Sequence, residues 1–309
     1  MPTIDLTPAP PVVTSALDAA PRRIGLTLSE LGVVAELAGG APLPFEVAAP
    51  AESGGLESRL GQSRTTTADQ AYRAVVDGLP NPVAALYRRG LVSDGVLDAN
   101  IAGAVGLLAT PRLALDIDIA FGDVQAKAWY RQADGAVASL ATVDGIVFEL
   151  AWFGTEAWPA ELARVAAISE ELTLDDSAVP AYVDLPFELA DAGAEAIRTN
   201  RNDLLPVLAG RHSGDVRGAD GRALPDDEVT RVITALSTEA RGRLRAMVAD
   251  VPVERVPAAV GVVSWTLLAD GWHALRPHRA RSGLRVEVSR AEPSALAVVL
   301  APLLAEVQA

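Results

Sequence analysis

The sequence predicts an α+β protein of two pseudo-twofold-related halves, each an antiparallel β-meander with a flanking helical bundle, the two meanders forming a joined central sheet. Three observations predict it: strict apolar/polar alternation in several segments, Asp-Gly pairs spaced as hairpin turns, and recurrence of one strand-then-helix pattern at residues 112–168 and 242–307. Residue identity between the copies is low, so the recurrence is a structural pseudo-repeat and not a recent duplication.

In the first half, helical patterns over 28–37, 67–76, 82–91 and 98–108 lead into the meander, with a loop-rich connection over 39–64 that holds a short strand at Phe45–Val47. Leu113, Leu115, Ile117, Ile119 and Phe121 then alternate with Ala114, Asp116, Asp118 and Ala120, the period of two of a strand with one buried face. Strands over 125–132, 136–143 and 146–153 follow, joined at Asp134-Gly135 and Asp144-Gly145, where a two-residue hairpin needs positive φ. A helix begins at Trp158, with Leu162, Val165 and Ile168 at helical spacing and Pro159 in its first turn, where the missing N–H costs nothing.

The second half repeats the plan. Helical patterns at 186–198, 204–208 and 225–240 come first, and Asp226, Asp227 and Glu228 set negative charge at the N-terminus of the last one. Strands follow over 243–249, 259–268, 272–276 and 284–289, with a turn at Asp270-Gly271 and Leu284, Val286 and Val288 alternating with Arg285, Glu287 and Ser289. A final helix from Pro293 lines up Leu296, Val299, Leu300, Leu303, Leu304 and Val307, and Pro302 inside that pattern is expected to kink or split it. The chain divides into a disordered Pro/Ala-rich tail (1–25), an N-terminal half (26–175) and a C-terminal half (176–309). No Ser/Gly linker separates the halves, which predicts one continuous domain.

Composition narrows the partners. A formal charge of -14 argues against a phosphate backbone or an anionic membrane surface. The absence of cysteine rules out disulfides and thiolate metal sites. The first 25 residues lack the charged start and continuous apolar stretch of a signal peptide, and no apolar run reaches the ~18 residues of a membrane span, so a cytoplasmic location is expected.

Candidate chemistry is sparse. Asp116 and Asp118 offer hard oxygens, but their i, i+2 spacing on an alternating strand describes a solvated face. His212, His273 and His278 have no carboxylate or thiolate at zinc-ligand spacing. Ser264 stands within a strand pattern and not in a nucleophile elbow. Lys127, the one lysine of the chain, reads as strand-face exposure, because a Schiff-base lysine needs desolvation and a cationic neighbour. Gly39-Gly40 and Gly54-Gly55 fit neither the dinucleotide fingerprint nor the P-loop spacing. No catalytic residue, cofactor or metal is predicted. The aromatic residues are more suggestive: Trp265 and Trp272 flank the Asp270-Gly271 turn, either as core or as partner contacts. Val263, Trp265 and Leu267 share one strand face, leaving Ser264 and Thr266 to join Arg243 and Arg245 in a mixed surface suited to a protein partner.

Several short segments, in order, carry a family resemblance: LSEL at 28–31, LPF at 43–45, YRRGLVSDGVL at 87–97, LLATP at 107–111, VSW at 263–265 and ADG at 269–271. Together they resemble the EspG family of chaperones associated with type VII (ESX) secretion in actinobacteria, over residues 28–307. The resemblance implies a cytoplasmic, non-enzymatic protein that binds PE–PPE-type helical heterodimers at the tip of the PPE partner and keeps them soluble for export. It also implies a partner surface on the central sheet and C-terminal helical bundle, here the second meander and residues 225–240. Within that region Val232, Leu236, Arg243, Arg245, Ser264, Thr266 and Trp272 are the candidate partner-binding residues. The Pro-rich tail and the short Asp134-Gly135 hairpin depart from the family pattern, where some members carry a longer, cargo-holding loop, and leave open a different helical-hairpin cargo. Two other readings stand beside this one: a small-molecule-binding protein or enzyme with a cleft between the halves, and a self-associating module forming a weak homodimer.

Overall fold

The computed structural model describes residues 20–45, 74–75, 78–122, 124–251 and 258–308. The helix expected over 67–76 and the strand at Phe45–Val47 fall largely outside these; Ala74 and Val75 are helical and Phe45 lies in a bend.

One eleven-stranded sheet organises the chain. The first half contributes β1 (Arg22–Thr27), β4 (Leu113–Phe121), β5 (Val124–Ala133), β6 (Ala136–Thr142) and β7 (Val147–Gly154), while β2 (Val92–Ser93) and β3 (Val96–Leu97) form a separate two-stranded hairpin. The second contributes β8 (Tyr182–Pro186), β9 (Arg217–Gly218), β10 (Gly242–Asp250), β11 (Ala258–Leu268), β12 (Gly271–Ala280) and β13 (Gly283–Arg290). Their spatial order is β1-β7-β6-β5-β4-β10-β11-β12-β13-β8-β9. Outward from the central antiparallel β4–β10 pair, each side therefore runs through its meander in sequence and then adds what preceded it in the chain, β1 on one side and β8 followed by β9 on the other.

Four local features differ from expectation. Residues 22–25, assigned to the tail over 1–25, belong to a strand, because Arg22–Thr27 pair with β7, while residues 1–19 lie outside the described residues; Ile24 and Leu26, two apart, turn one apolar face inward, and Leu26 is fully buried. The turn at Asp134-Gly135 has positive φ at both residues (49° and 79°), as a two-residue hairpin requires, but the one at Asp144-Gly145 spans four residues. There the Asp144 carboxylate accepts from the N–H groups of Ile146 (2.8 Å) and Val147 (3.0 Å), which holds it below the usual carboxylate range. The last helix is not split by Pro302: it runs unbroken over Ala295–Gln308, with Pro302 on the exposed side, so the Val298 carbonyl that loses its donor faces water. Finally, β12 parts from β11 after Leu275 and runs on paired with β13 alone to Ala280, while β11 stays with β10; Pro277, two residues on, has no N–H to extend the β11 ladder.

Eight α-helices lie among the described residues: α1 (Leu28–Leu37), α2 (Pro82–Arg88), α3 (Ala99–Ala109), α4 (Trp158–Val165), α5 (Phe187–Arg198), α6 (Leu205–Arg211), α7 (Asp226–Thr238) and α8 (Ala295–Gln308). Their starts are written in the sequence. Thr27 and Glu30 form a reciprocal capping box at α1, Asn81 caps α2 ahead of Pro82, and Asp98 accepts from two N–H groups of α3. Among the described residues no helix is long and apolar enough to cross a membrane.

The two faces of the sheet are covered differently. On one face, Leu115, Ile117, Leu244, Ala246, Trp265 and Trp272 form a continuous core under α4 and α8, which pack on each other and over the central strands. On the other face the cover is split. Helices α1 to α3 bury Leu140, Phe148 and Leu150 of the first half, and α5 to α7 bury Val183, Leu185, Val286 and Val288 of the second. The central strands between these two clusters are left bare.

A candidate docking face where the halves meet

Cross-strand pairing assembles this bare strip. Lys127 on β5 lies opposite Asp118 on β4, Asp118 opposite Arg245 on β10, and Arg245 opposite Ser264 on β11. One row along, Gln125, Ala120, Arg243 and Thr266 are matched in the same way. The next row on the other side is Trp129, Asp116, Met247 and Val262. Residues two apart on a strand share a face, so these rows form one surface across four strands. It borders a hollow of about 590 Å³.

The electrostatics are graded along the strip. Asp116 is engaged by Arg131, whose Nη1 donates to Asp116 Oδ1 at 2.6 Å. Lys127, Arg243 and Arg245 are exposed and make no ion pair with any described residue, although Asp118 stands between two of them. Met247 and Val262, 36% and 46% exposed, add an apolar margin. The strip can therefore bind a surface carrying both negative charge and apolar groups.

Of the residues singled out by sequence, Arg243, Arg245, Ser264 and Thr266 come together here. The other three stand elsewhere. Trp272 is 3% exposed on the opposite face, and its indole Nε1 donates to the Ala166 carbonyl at 2.8 Å. Val232 is fully buried in the cluster under α7, and Leu236 packs against the same cluster. A regular helix in a two-layer protein must bury one face, and Val229, Val232, Ile233 and Leu236 supply it at i, i+3, i+4 and i+7 spacing. Gln125, Met247 and Val262 also belong to the strip without having been singled out, and so do Lys127 and Asp118, which the sequence places on solvated strand faces. Their signal was alternation, which put Asp118 and Lys127 on polar strand faces without saying which strand would lie alongside.

Each of the three histidines lies beside a carboxylate. His273 is fully buried with Nε2 2.9 Å from Asp270 Oδ1, His278 lies 3.0 Å from Asp184, and His212 is 3.9 Å from Asp215. No cluster among the described residues could hold a metal ion. On the α4 side, Glu149 and Glu161 alternate with Arg23 and Arg164 in a closed ring of ion pairs that ties β1 and β7 to α4. Tyr130 lies beside this ring, and burial raises its phenol far above the ordinary range.

No protein-family profile and no curated protein matches the sequence. A solved structure does match the fold: EspG5, the chaperone of the Mycobacterium tuberculosis type VII secretion system, determined in complex with a PE25–PPE41 dimer. The two superpose with a TM-score of 0.58 at 12% identity, over 92% of this chain and 96% of that one. Agreement over almost the whole of both chains shows that this protein has the fold of EspG5.

Proposed function

We propose that the protein is a cytoplasmic chaperone or adaptor, without catalytic activity, that binds helical type VII secretion substrates of the PE–PPE kind and keeps them soluble for export. The observation that carries this reading is the bare four-strand face between two helical clusters, on a fold shared with a chaperone solved on such a dimer. Physically the role is a capping one. A secretion substrate with an exposed apolar tip aggregates, and covering that tip with a reversible interface of roughly 1,200–2,000 Å² suppresses it.

The test is co-expression with PE–PPE-like and other ESX-type helical pairs from the same genome, affinity capture, and measurement of the stoichiometry. A pair that is insoluble alone and soluble in a stoichiometric complex with this protein is the expected result. Failure to capture any pair, with the protein itself folded and monodisperse, would sink the chaperone reading and turn attention to small ligands of the same groove.

A further inference from the structure

Resting on the chaperone role, we infer that the groove selects its cargo by charge: the helical-hairpin end that seats on it is acidic and docks against Lys127, Arg243 and Arg245. The dimensions come first. Strands lie ~4.8 Å apart, so the floor from β5 to β11 is about 14 Å across, enough for one helix of ~10–12 Å diameter but not two side by side. Helical clusters wall it on both sides. An elongated helical pair can therefore present its tip to this floor but cannot lie flat on it.

Charge then sets the chemistry of that tip. Carboxylates outnumber cations in this chain by 40 to 26, and many arginines, among them exposed Arg164, Arg198 and Arg201, sit on carboxylates of the same chain, while others such as Arg279 and Arg281 stand apart from this face. On the open floor, in contrast, three cations are grouped with Asp118 alone and paired with none of the described residues. Arg243 and Arg245 project from the same face of β10, ~7 Å apart, and Lys127 reaches the same row from two strands away. That triangle spans the end of a single helix. A C-terminal helix turn already presents unpaired carbonyls and a negative dipole, and carboxylates next to it complete the match. Met247 and Val262 at the other margin meet the apolar part of the tip. Since the protein as a whole is strongly acidic, long-range repulsion disfavours acidic partners in general, and the grouped cations of the strip offset it locally, which gives the surface its selectivity.

The probe is the helical heterodimer held in its co-expressed complex, whose dissociation on dilution is followed by fluorescence for the wild-type chain and for chains carrying Arg243→Gln with Arg245→Gln, or Arg243→Glu with Arg245→Glu. Both side chains are exposed, so an unchanged melting temperature verifies folding. At about 50 mM salt the neutralised variant should bind ~10-fold more weakly and the reversed one ~100-fold. Raising the salt to about 500 mM should weaken the wild-type protein most, because screening removes what the variants already lack. Changing the acidic tip residues of the cargo to Gln should reproduce the loss, and changing them to Lys should restore binding to the reversed variant. Equal affinities for all three proteins at low salt would overturn charge selection while leaving the chaperone role standing. Capture of no heterodimer at all would remove both.

Discussion

Trp272 is where sequence and structure disagree most sharply about a single side chain, and the disagreement is measurable. As a partner contact its removal would weaken cargo binding and leave stability alone. The structure makes the opposite demand. The indole is 3% exposed, its ring centroid lies 6.3 Å from that of Trp265, and its N–H donates to the carbonyl of Ala166, the residue that ends α4. Trp272→Ala removes most of a buried aromatic and should cost about 3–5 kcal/mol. With an unfolding entropy of ~2.1 cal/mol/K per residue over 309 residues, that is a fall in Tm of about 5–8 °C. Trp272→Phe keeps most of the ring volume but leaves the Ala166 carbonyl without its donor, so about 1–2 kcal/mol should be lost. Urea denaturation followed by circular dichroism measures both, with cargo binding recorded on the same samples well below the transition. A Trp272→Ala protein with an unchanged urea midpoint and impaired cargo binding would refute the placement of this strand face in the core.

Three further outcomes follow from named contacts. At Gly242, the first residue of β10, a methyl group would come within 2.8 Å of the Ala120 carbonyl across the junction, whereas at Gly261 it would meet the end of the Leu303 side chain. Backbone cannot rotate away as a side chain can, so Gly242→Ala should lower stability by about 1–3 kcal/mol and Gly261→Ala by less, and equal urea midpoints would contradict this. Glu161 is buried between Arg23 and Arg164; Glu161→Gln should cost about 1–2 kcal/mol, since both arginines remain partly hydrated, and an unshifted midpoint would show the ion ring to be idle. Tyr130 has its folded pKa raised by burial, so its contribution is complete below the ordinary phenol pKa of about 10 and is lost as pH rises above it. Phenolate absorbance should therefore show Tyr130 ionising only together with alkaline unfolding, and a Tyr130→Phe protein should resist that unfolding better.

What could be taken from the sequence was whatever local periodicity governs. Alternation located both meanders, and Pro159 and the Asp226-Asp227-Glu228 run marked two helix starts, because each depends on residues a few positions apart. The flanking strands were harder. β8 offers only Val183 and Leu185 between prolines 180 and 186, too short a pattern to stand out, and β1 is read from Ile24 and Leu26 only when the Thr27–Glu30 capping box is taken as its end. The docking face lay further out of reach. It exists because β4 pairs with β10, more than a hundred residues away, and that pairing alone sets Lys127 and Asp118 in one row with Arg245 and Ser264. In the sequence these were polar positions on four separate strands, of which Arg245 and Ser264 could be set on one surface, whereas Lys127 and Asp118 read only as solvated strand faces. Joining the sheets at their first meander strands also decides the cover. Each half keeps its helical cluster over its outer strands, so the seam receives helices on the α4–α8 face only, and the polar side chains of the central strands stay in water. A seam of this kind can carry unpaired cations at little cost to stability, because the groups never leave solvent until a partner arrives. The same topology that joins the halves thus leaves open the surface on which the proposed function depends.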